Sequence, residues 1–161
     1  MATRNEIPIE LVNQYLLYDK DTGVFYWRKS NKEAGWADSN GYVFIRLKGK
    51  LYRAHRLAYA ITYGMFDGEI DHIDNNPNNN RITNLRVCTS TLNKYNSRRR
   101  SDNTSGIKGV HWYKAYQKWQ TYIRVEGKTK CLGYFDTLLD ASCVVISARN
   151  KHHGEFANNG Y

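Results

Sequence analysis

Residues 69–96 read EIDHIDNNPNNNRITNLRVCTSTLNKYN, and this stretch decides how the rest of the chain is understood. It sets an Asp-His pair, Asp71 and His72, ahead of seven asparagines or aspartates between Asp74 and Asn84, then a Ser/Thr-led segment carrying Asn93 and Asn96. Buried in a core, each of these amides needs a hydrogen-bond partner. A site that holds a hard cation and positions a water has use for them. EIDHI has the composition of a short strand, DNNPNNNRITN of an ordered polar loop, and LRV of a second strand. Thr89 or Ser90 then caps a helix through TLNKYNSRR. This unit brings residues of the first strand and of the helix side by side.

Upstream, Ile9 to Tyr18 has amphipathic helical spacing, and the turn DKDTG leads into a strand over Val24 to Trp27. SNKEAGWADSNG is loop, YVFIRL and LYRA form a hairpin about KGK, and HRLAYAITY is a helix ended by Gly64. His55 opens that helix, either as a structural histidine bonded to backbone or as a phosphate contact.

Downstream, SRRRSDNTSG has linker composition and reads as a basic arm. From Ile107 the period becomes that of a small sheet: IKGVHWY, then a strand through Trp119 to Arg124, then CLGYF after the turn EGKTK. Alternation places Val110, Trp112, Trp119, Thr121 and Ile123 on one face and His111, Tyr113, Gln120, Tyr122 and Arg124 on the other. A helix over DTLLDASCVVISARNKHHG, with Asp136 as N-cap and Gly154 past its end, covers the first face through Leu138, Ala141, Val144, Val145 and Ala148. The second face is left for a partner.

The 161 residues make one large domain or two small ones. Apolar runs fall short of the roughly 18 to 20 residues that span a membrane. The start MATRNEIPIE lacks the pattern of a signal peptide, which implies a soluble, cytoplasmic protein. Cys88, Cys131 and Cys143 are odd in number and form no C-x-x-C pair, which argues against a disulfide framework or a four-cysteine zinc site. The formal charge is +9, and residues 98–130 hold most of it, with nine Lys/Arg against Asp102 and Glu126. Arg98, Arg99, Arg100, Lys108, Arg124, Lys128 and Lys130, interleaved with Trp112, Tyr113, Tyr116, Trp119 and Tyr122, have the pattern of a nucleic-acid footprint.

Phosphodiester hydrolysis needs a base for water, a cation at the phosphate and a geometry that holds both in line. His72 is the candidate base, because an imidazole titrates near working pH. Asp71 points to the other side of an ideal strand, so the pair works together only if the backbone is irregular or the cation lies at the strand's edge. Asn93 offers a carbonyl oxygen to Mg²⁺ or Mn²⁺. Asn84 is suited to tie the loop back and fix His72 through its backbone.

The stretch IDHIDNNPNNNRITNLRVCTSTLNKYN resembles the ββα-metal motif of HNH endonucleases, in particular the phage and intron-encoded homing type, and GYVFIRLKGKLYRAHRLAYAITYG resembles the segment that leads into it. The spacing agrees as well: His72, twelve residues to Asn84, nine more to Asn93. The resemblance implies His72 as general base, Asn84 as structural asparagine, and Asp71 with Asn93 as metal ligands. Asn93 stands where many relatives carry the second histidine, a change of ligand.

Residues 105–156 resemble the Apetala-two DNA-binding domain of plant ethylene-response factors. Gly109-Val110, Lys118-Trp119, Ile123-Arg124, Leu132-Gly133-Tyr134-Phe135, Ala141 and His153-Gly154-Glu155-Phe156 carry the likeness. Such domains lay a three-stranded sheet in the major groove, which implies Lys108, His111, Tyr113, Tyr122 and Arg124 on the DNA face. Several of these are His or Tyr where plant members have arginine, so the target sequence does not carry over.

The expected fold is α+β: a ββα-metal HNH nuclease domain over residues 1–97, a basic linker over 98–105, and a three-stranded antiparallel sheet packed on one helix over 106–158. The expected function is metal-dependent cleavage of double-stranded DNA with Mg²⁺ or Mn²⁺, by a monomer that nicks or a homodimer that cuts both strands. If the gene belongs to a phage, the protein works in the bacterial cytoplasm. The alternatives are a non-catalytic, sequence-specific DNA-binding regulator and an RNA-directed protein.

Overall fold

EIDH and LRVC, each expected as a short strand, pair antiparallel in the computed structural model, which describes residues 7–160. Much of the N-terminal stretch considered for a signal peptide falls outside these residues. By packing, the chain divides into two units, the described residues up to Cys88 and those from Thr89 onward. The expected boundary after residue 97 is thus moved to before the helix that carries Asn93.

The first unit runs α1 (Ile9–Tyr15), β1 (Leu16–Tyr18), β2 (Phe25–Trp27), β3 (Trp36–Ala37), β4 (Val43–Leu47), β5 (Lys50–Arg53), α2 (Ala54–Tyr63), β6 (Glu69–His72) and β7 (Leu85–Cys88). Its strands form a β1-β2 hairpin, a β3-β4-β5 sheet and the β6-β7 pair, all antiparallel. Val12, Leu16, Phe25, Ile45, Leu47, Leu57, Ala58, Ile70 and Leu85 make one buried core. The helix expected over Ile9 to Tyr18 stops at Tyr15, because Leu16, Leu17 and Tyr18 pair with Trp27, Tyr26 and Phe25. A strand ladder there overrides the helical period. SNKEAGWADSNG, expected as loop, contains β3, which pairs with β4. Lys48 and Gly49, both at positive φ, close the β4-β5 hairpin as its sequence required.

The turn after β1 holds the polar loop in place. Tyr18 Oη donates to Asn80 O at 2.7 Å, Ile82 N to Lys20 O at 3.2 Å and Arg81 Nε to Asp21 O at 2.8 Å. Gly23, at φ 79°, brings its backbone so close that a Cβ there would lie 2.5 Å from Arg81 N and 2.6 Å from Asn80 C.

The second unit contains α3 (Ser90–Tyr95), β8 (Val110–Tyr113), β9 (Lys118–Val125), β10 (Lys128–Phe135) and α4 (Leu138–His153). The sheet order is β10-β9-β8, antiparallel throughout, as expected. Val110, Ala141 and Val145 are its buried core, with Trp119, Leu132, Phe135, Leu138 and Ile146 packed on it. Thr89 caps α3 by accepting from Leu92 N, and α3 ends at Tyr95 rather than running into the arginines. Thr137, not Asp136, caps α4; Asp136 instead pairs with Lys118 Nζ at 3.0 Å. Residues 98–105, expected as a linker, fold as a tethered loop. Asn103 Nδ2 donates to Ile107 O at 3.0 Å, and Ser105 Oγ lies 2.7 Å from Val110 O.

Gly23→Ala is expected to lower stability by about 1 to 3 kcal/mol, from strain at positive φ and collision with the loop backbone. Thermal melts measure the loss, and an unaltered melting point would show that this close approach is dispensable.

Candidate functional site

His72, the last residue of β6, is buried with 5% of its surface exposed. Its Nε2 lies 3.1 Å from Asn80 Oδ1. A carboxamide oxygen only accepts, so Nε2 carries the hydrogen and the lone pair of the neutral ring sits on Nδ1. Burial holds the imidazole below its ordinary pKa, against the Asn80 bond and the nearby Asp74 and Asp71 carboxylates, which raise it. The ring is therefore a neutral base at pH 7, aimed by an asparagine that the first turn of the chain fastens from behind.

Asn84 closes the same loop. Its Nδ2 donates to Asp74 Oδ1 at 2.9 Å and Asn79 O at 2.8 Å, its Oδ1 accepts from Asp74 N at 3.0 Å, and its carbonyl accepts from Ile73 N at 2.9 Å. The buried amide is saturated, and the residue following His72 is tied across the loop.

Asp71 lies opposite Arg86 in a regular ladder, and its Oδ2 accepts from Arg86 Nε at 3.0 Å and Nη2 at 2.9 Å. Asp71 and His72 therefore face opposite sides of β6: His72 shares its side with Ile70 and Leu85, and Asp71 is joined to Arg86. A hard carboxylate oxygen fits a divalent cation, and Mg²⁺ needs only one or two protein carboxylates beside water and substrate phosphate. Among the described residues no group of three or more His, Cys, Asp or Glu gathers as a metal cage. Asn93 belongs to the second unit, where its N–H donates to Thr89 O at 2.9 Å.

His55 is 3% exposed, edge-on to His72 with ring centroids 4.9 Å apart, and Tyr42 packs against both rings. Its Nδ1 has no hydrogen-bond partner among the described residues. Burial, then the neighbouring His72, Arg53 and Arg56, push its pKa down to about 3. A ring enclosed in this way stands behind His72 rather than at a surface where phosphate could meet it.

In the second unit the open sheet face carries His111, Tyr113, Gln120, Tyr122 and Arg124, with His111 and Tyr122 rings 5.6 Å apart. Tyr113, Tyr116 and Tyr134 form an aromatic cluster beside them, with centroids 4.9 to 5.5 Å apart. Lys108, expected on this face, instead donates from Nζ to Tyr95 O at 2.9 Å and Ser97 O at 2.6 Å. Burial and Arg149 push its pKa down to about 8, so it serves as a cap of α3. Lys128 and Lys130 pair with Val125 and Ile123, which gives them the parity of the helix-covered face. Arg98, Arg99 and Arg100 are exposed in the tethered loop, and Arg100 grips Asp102 at 2.8 and 2.9 Å.

Residues 52–95, from within β5 to the end of α3, match the family model described as HNH endonuclease. Protein 3.8 of Escherichia phage T7 is 38% identical over 88 residues, which cover 55% of this chain and 72% of that protein. An uncharacterized HNH endonuclease, L245 of Acanthamoeba polyphaga mimivirus, is 27% identical across 95% of this chain and 47% of its own length. The solved structure of the HNH homing endonuclease I-HmuI, described for DNA binding and cleavage, matches at 36% identity over 51% of each chain, with a TM-score of 0.43. The chain thus spans about half the length of the latter two. It belongs to the HNH endonuclease family.

Two residues at the site escape a reading by composition. Asn80 is one of several asparagines in a row, and only its distance to His72 distinguishes it. Arg86 was within reach, because antiparallel pairing of EIDH with LRVC puts it opposite Asp71. No helix among the described residues is long and apolar enough to cross a membrane.

Arg86→Ala is expected to cost about 3 to 5 kcal/mol by leaving a buried carboxylate without its guanidinium, and Arg86→Ala with Asp71→Asn to recover part of that. Denaturant titration of both variants checks this; equal midpoints for Arg86→Ala and the parent would contradict it. His55 gives a pH dependence. Its folded pKa of about 3 lies below its ordinary 6.5, so the unfolded chain binds the proton first. Stability is then intact above about pH 6.5 and falls as pH drops toward 3, by up to about 1.4 kcal/mol per pH unit. His55→Phe should flatten that slope in melts from pH 7 to 4.5.

Proposed function

We propose that the chain is a metal-dependent endonuclease of the homing type that hydrolyses phosphodiester bonds in double-stranded DNA. The observation that carries the proposal is the His72-Asn80 contact: a buried, neutral imidazole with its lone pair on Nδ1, at the end of a strand, within a segment that matches the HNH family. Nucleases of this family use divalent metal ions. Asp71 and Asn93, both within the matched segment, are the proposed oxygen donors for one, Mg²⁺ or Mn²⁺, which would neutralise charge on the phosphate and on the departing oxygen.

His72 takes the proton of the attacking water at Nδ1. Asn80 keeps Nε2 protonated, and its carbonyl dipole stabilises the imidazolium that results. Asn84 holds the backbone after His72 so that the ring does not turn with the loop. Asp71, bonded to Arg86, stays fixed at the end of β6.

The second unit is proposed to be an Apetala-two-type DNA-binding domain. An open face with His111, Tyr113, Tyr122 and Arg124 on a three-stranded sheet backed by one helix supports this, and Arg98 to Arg100 add charge beside it. Lys108, Lys128 and Lys130 are left out of the contact set for the reasons given above. One ββα site cleaves one strand, so a monomer nicks and a homodimer makes a double-strand break. The work would take place in the cytoplasm of a phage-infected bacterium.

Supercoiled plasmid incubated with Mg²⁺ or Mn²⁺ should relax. His72→Ala should slow relaxation at least about a hundredfold while duplex affinity stays within a few-fold. Binding without relaxation under any divalent ion would make the protein a regulator instead, and tighter binding to single-stranded RNA than to duplex DNA would favour the RNA-directed alternative. Arg124→Ala should weaken duplex binding by about 1 kcal/mol without altering cleavage of bound DNA; unchanged affinity in fluorescence anisotropy would remove Arg124 from the interface.

A further inference from the structure

Gln120 stands in the middle of the open sheet face, on the central strand β9, with His111 of β8 and Tyr134 of β10 as its partners in the register. Tyr134 is on that face only because β10 is bulged. Cys131 pairs with Tyr122 and Gly133 with Thr121, so Leu132 is the extra residue. Strict alternation from Cys131 would turn Tyr134 toward the helix, and a bulge re-aims the side chains that follow it.

The consequence is a fixed polar pair. Gln120 Nε2 donates to Tyr134 Oη at 2.9 Å and to Cys131 Sγ at 3.6 Å, which uses both amide hydrogens. Its Oε1 remains an acceptor with no hydrogen-bond partner among the described residues. Tyr134 Oη accepts from Gln120 and keeps its own O–H to donate. The Tyr134 ring packs against Tyr113 and Tyr116, with centroids 5.5 and 4.9 Å away, which holds the hydroxyl in place. The pair is open to solvent, since Tyr134 is 38% and Tyr116 60% exposed.

The surroundings suit a duplex. The residues that share this face include no carboxylate, and Asp136, just past β10, is taken by Lys118 at 3.0 Å. Lys114 is exposed at one end of the face, and at the other end is Arg124, of which only Nε is bonded, to Gly127 O. Cations on both sides of the pair can meet phosphates while the middle of the sheet faces base edges. In the major groove adenine presents the N7 acceptor beside the N6 donor, whereas guanine presents two acceptors and cytosine and thymine one polar group each. An acceptor beside a donor is the complement of adenine. A glutamine ordinarily supplies both groups itself, but here its amide nitrogen is occupied and the tyrosine hydroxyl stands in as the donor.

We propose that Gln120 and Tyr134 together read an adenine in the major groove, Gln120 Oε1 accepting from N6 and the Tyr134 hydroxyl donating to N7. The inference rests on the DNA-binding reading of the second unit and deepens it, by naming one base and the two residues that select it.

The test begins with selection of bound sites from random duplexes by the full chain. The selected duplex is then titrated by fluorescence anisotropy with single adenines replaced by purine, which lacks the N6 amino group, or by 7-deazaadenine, which lacks N7. At one adenine each replacement should weaken binding at least about fivefold. Gln120→Ala should reduce the purine penalty at that base to less than about twofold, and Tyr134→Phe should do the same to the 7-deazaadenine penalty, because each variant has already lost the group that the analogue fails to meet. A side chain that merely stiffened the sheet would lower affinity for every duplex alike and leave both penalties in place. Selective duplex binding with no adenine sensitive to both analogues, or with both penalties unchanged in the variants, overturns the proposal and leaves the DNA-binding reading standing. Absence of duplex binding even at low salt sinks that reading, and the proposal with it.

Discussion

Two buried carboxamides must find partners for every polar atom, and the architecture of the first unit follows from meeting that demand. Asn84 reaches saturation only if the loop from Ile73 to Asn84 folds back on itself, and Asn80 can face His72 only if its own backbone is held from outside. Tyr18, Lys20, Asp21 and Gly23 provide that hold, which is why a hairpin near the start of the described chain shapes the surroundings of the base. A loop of this polarity would otherwise remain solvated and mobile, because it has almost no apolar area to bury.

The second unit solves a different problem. Its helix α4 buries Ala141, Val145, Arg149 and His153 along one line, so the apolar half covers the sheet and the polar half ties down backbone. Arg149 Nη2 donates to Lys108 O at 2.5 Å, and Lys108 in turn caps α3. Lys108 and Arg149, which look like surface cations in the sequence, are here internal struts, while Arg98–Arg100, Lys114, Arg124, Lys128 and Lys130 stay exposed.

Periodicity made the sheet of the second unit legible, since alternation over IKGVHWY and WQTYIR sorts the two faces correctly, and Gly in KGK and EGK marked the hairpins. The strand-loop-strand pattern around the Asp-His pair was legible for the same reason: polar turn residues interrupt two short apolar runs. Local pattern failed where tertiary pairing outweighs propensity. Leu16 to Tyr18 continues a helical period but becomes a strand because Phe25 to Trp27 is there to receive it. The fate of Lys108, the buried line through Arg149 and His153, and the choice of Asn80 among its neighbours depend on distances between remote residues, which composition does not encode. Linker composition did not reveal that Asn103 and Ser105, small polar residues typical of flexible segments, bond neighbouring carbonyls.

The fastening of α3 has a bearing on how such chains are put together over generations. The arginine-rich stretch invites division just before it, yet the Tyr95 ring rests on His153 at the far end of the second unit, and Asn158 Nδ2 donates to Asn96 O. Genetic exchange that joined a foreign tail after residue 97 would inherit the family segment whole in sequence while stripping its last helix of the ring and carbonyl contacts that anchor it. Viable shuffling of such genes would therefore carry α3 and the tail together, or acquire a replacement for His153 along with any new ending.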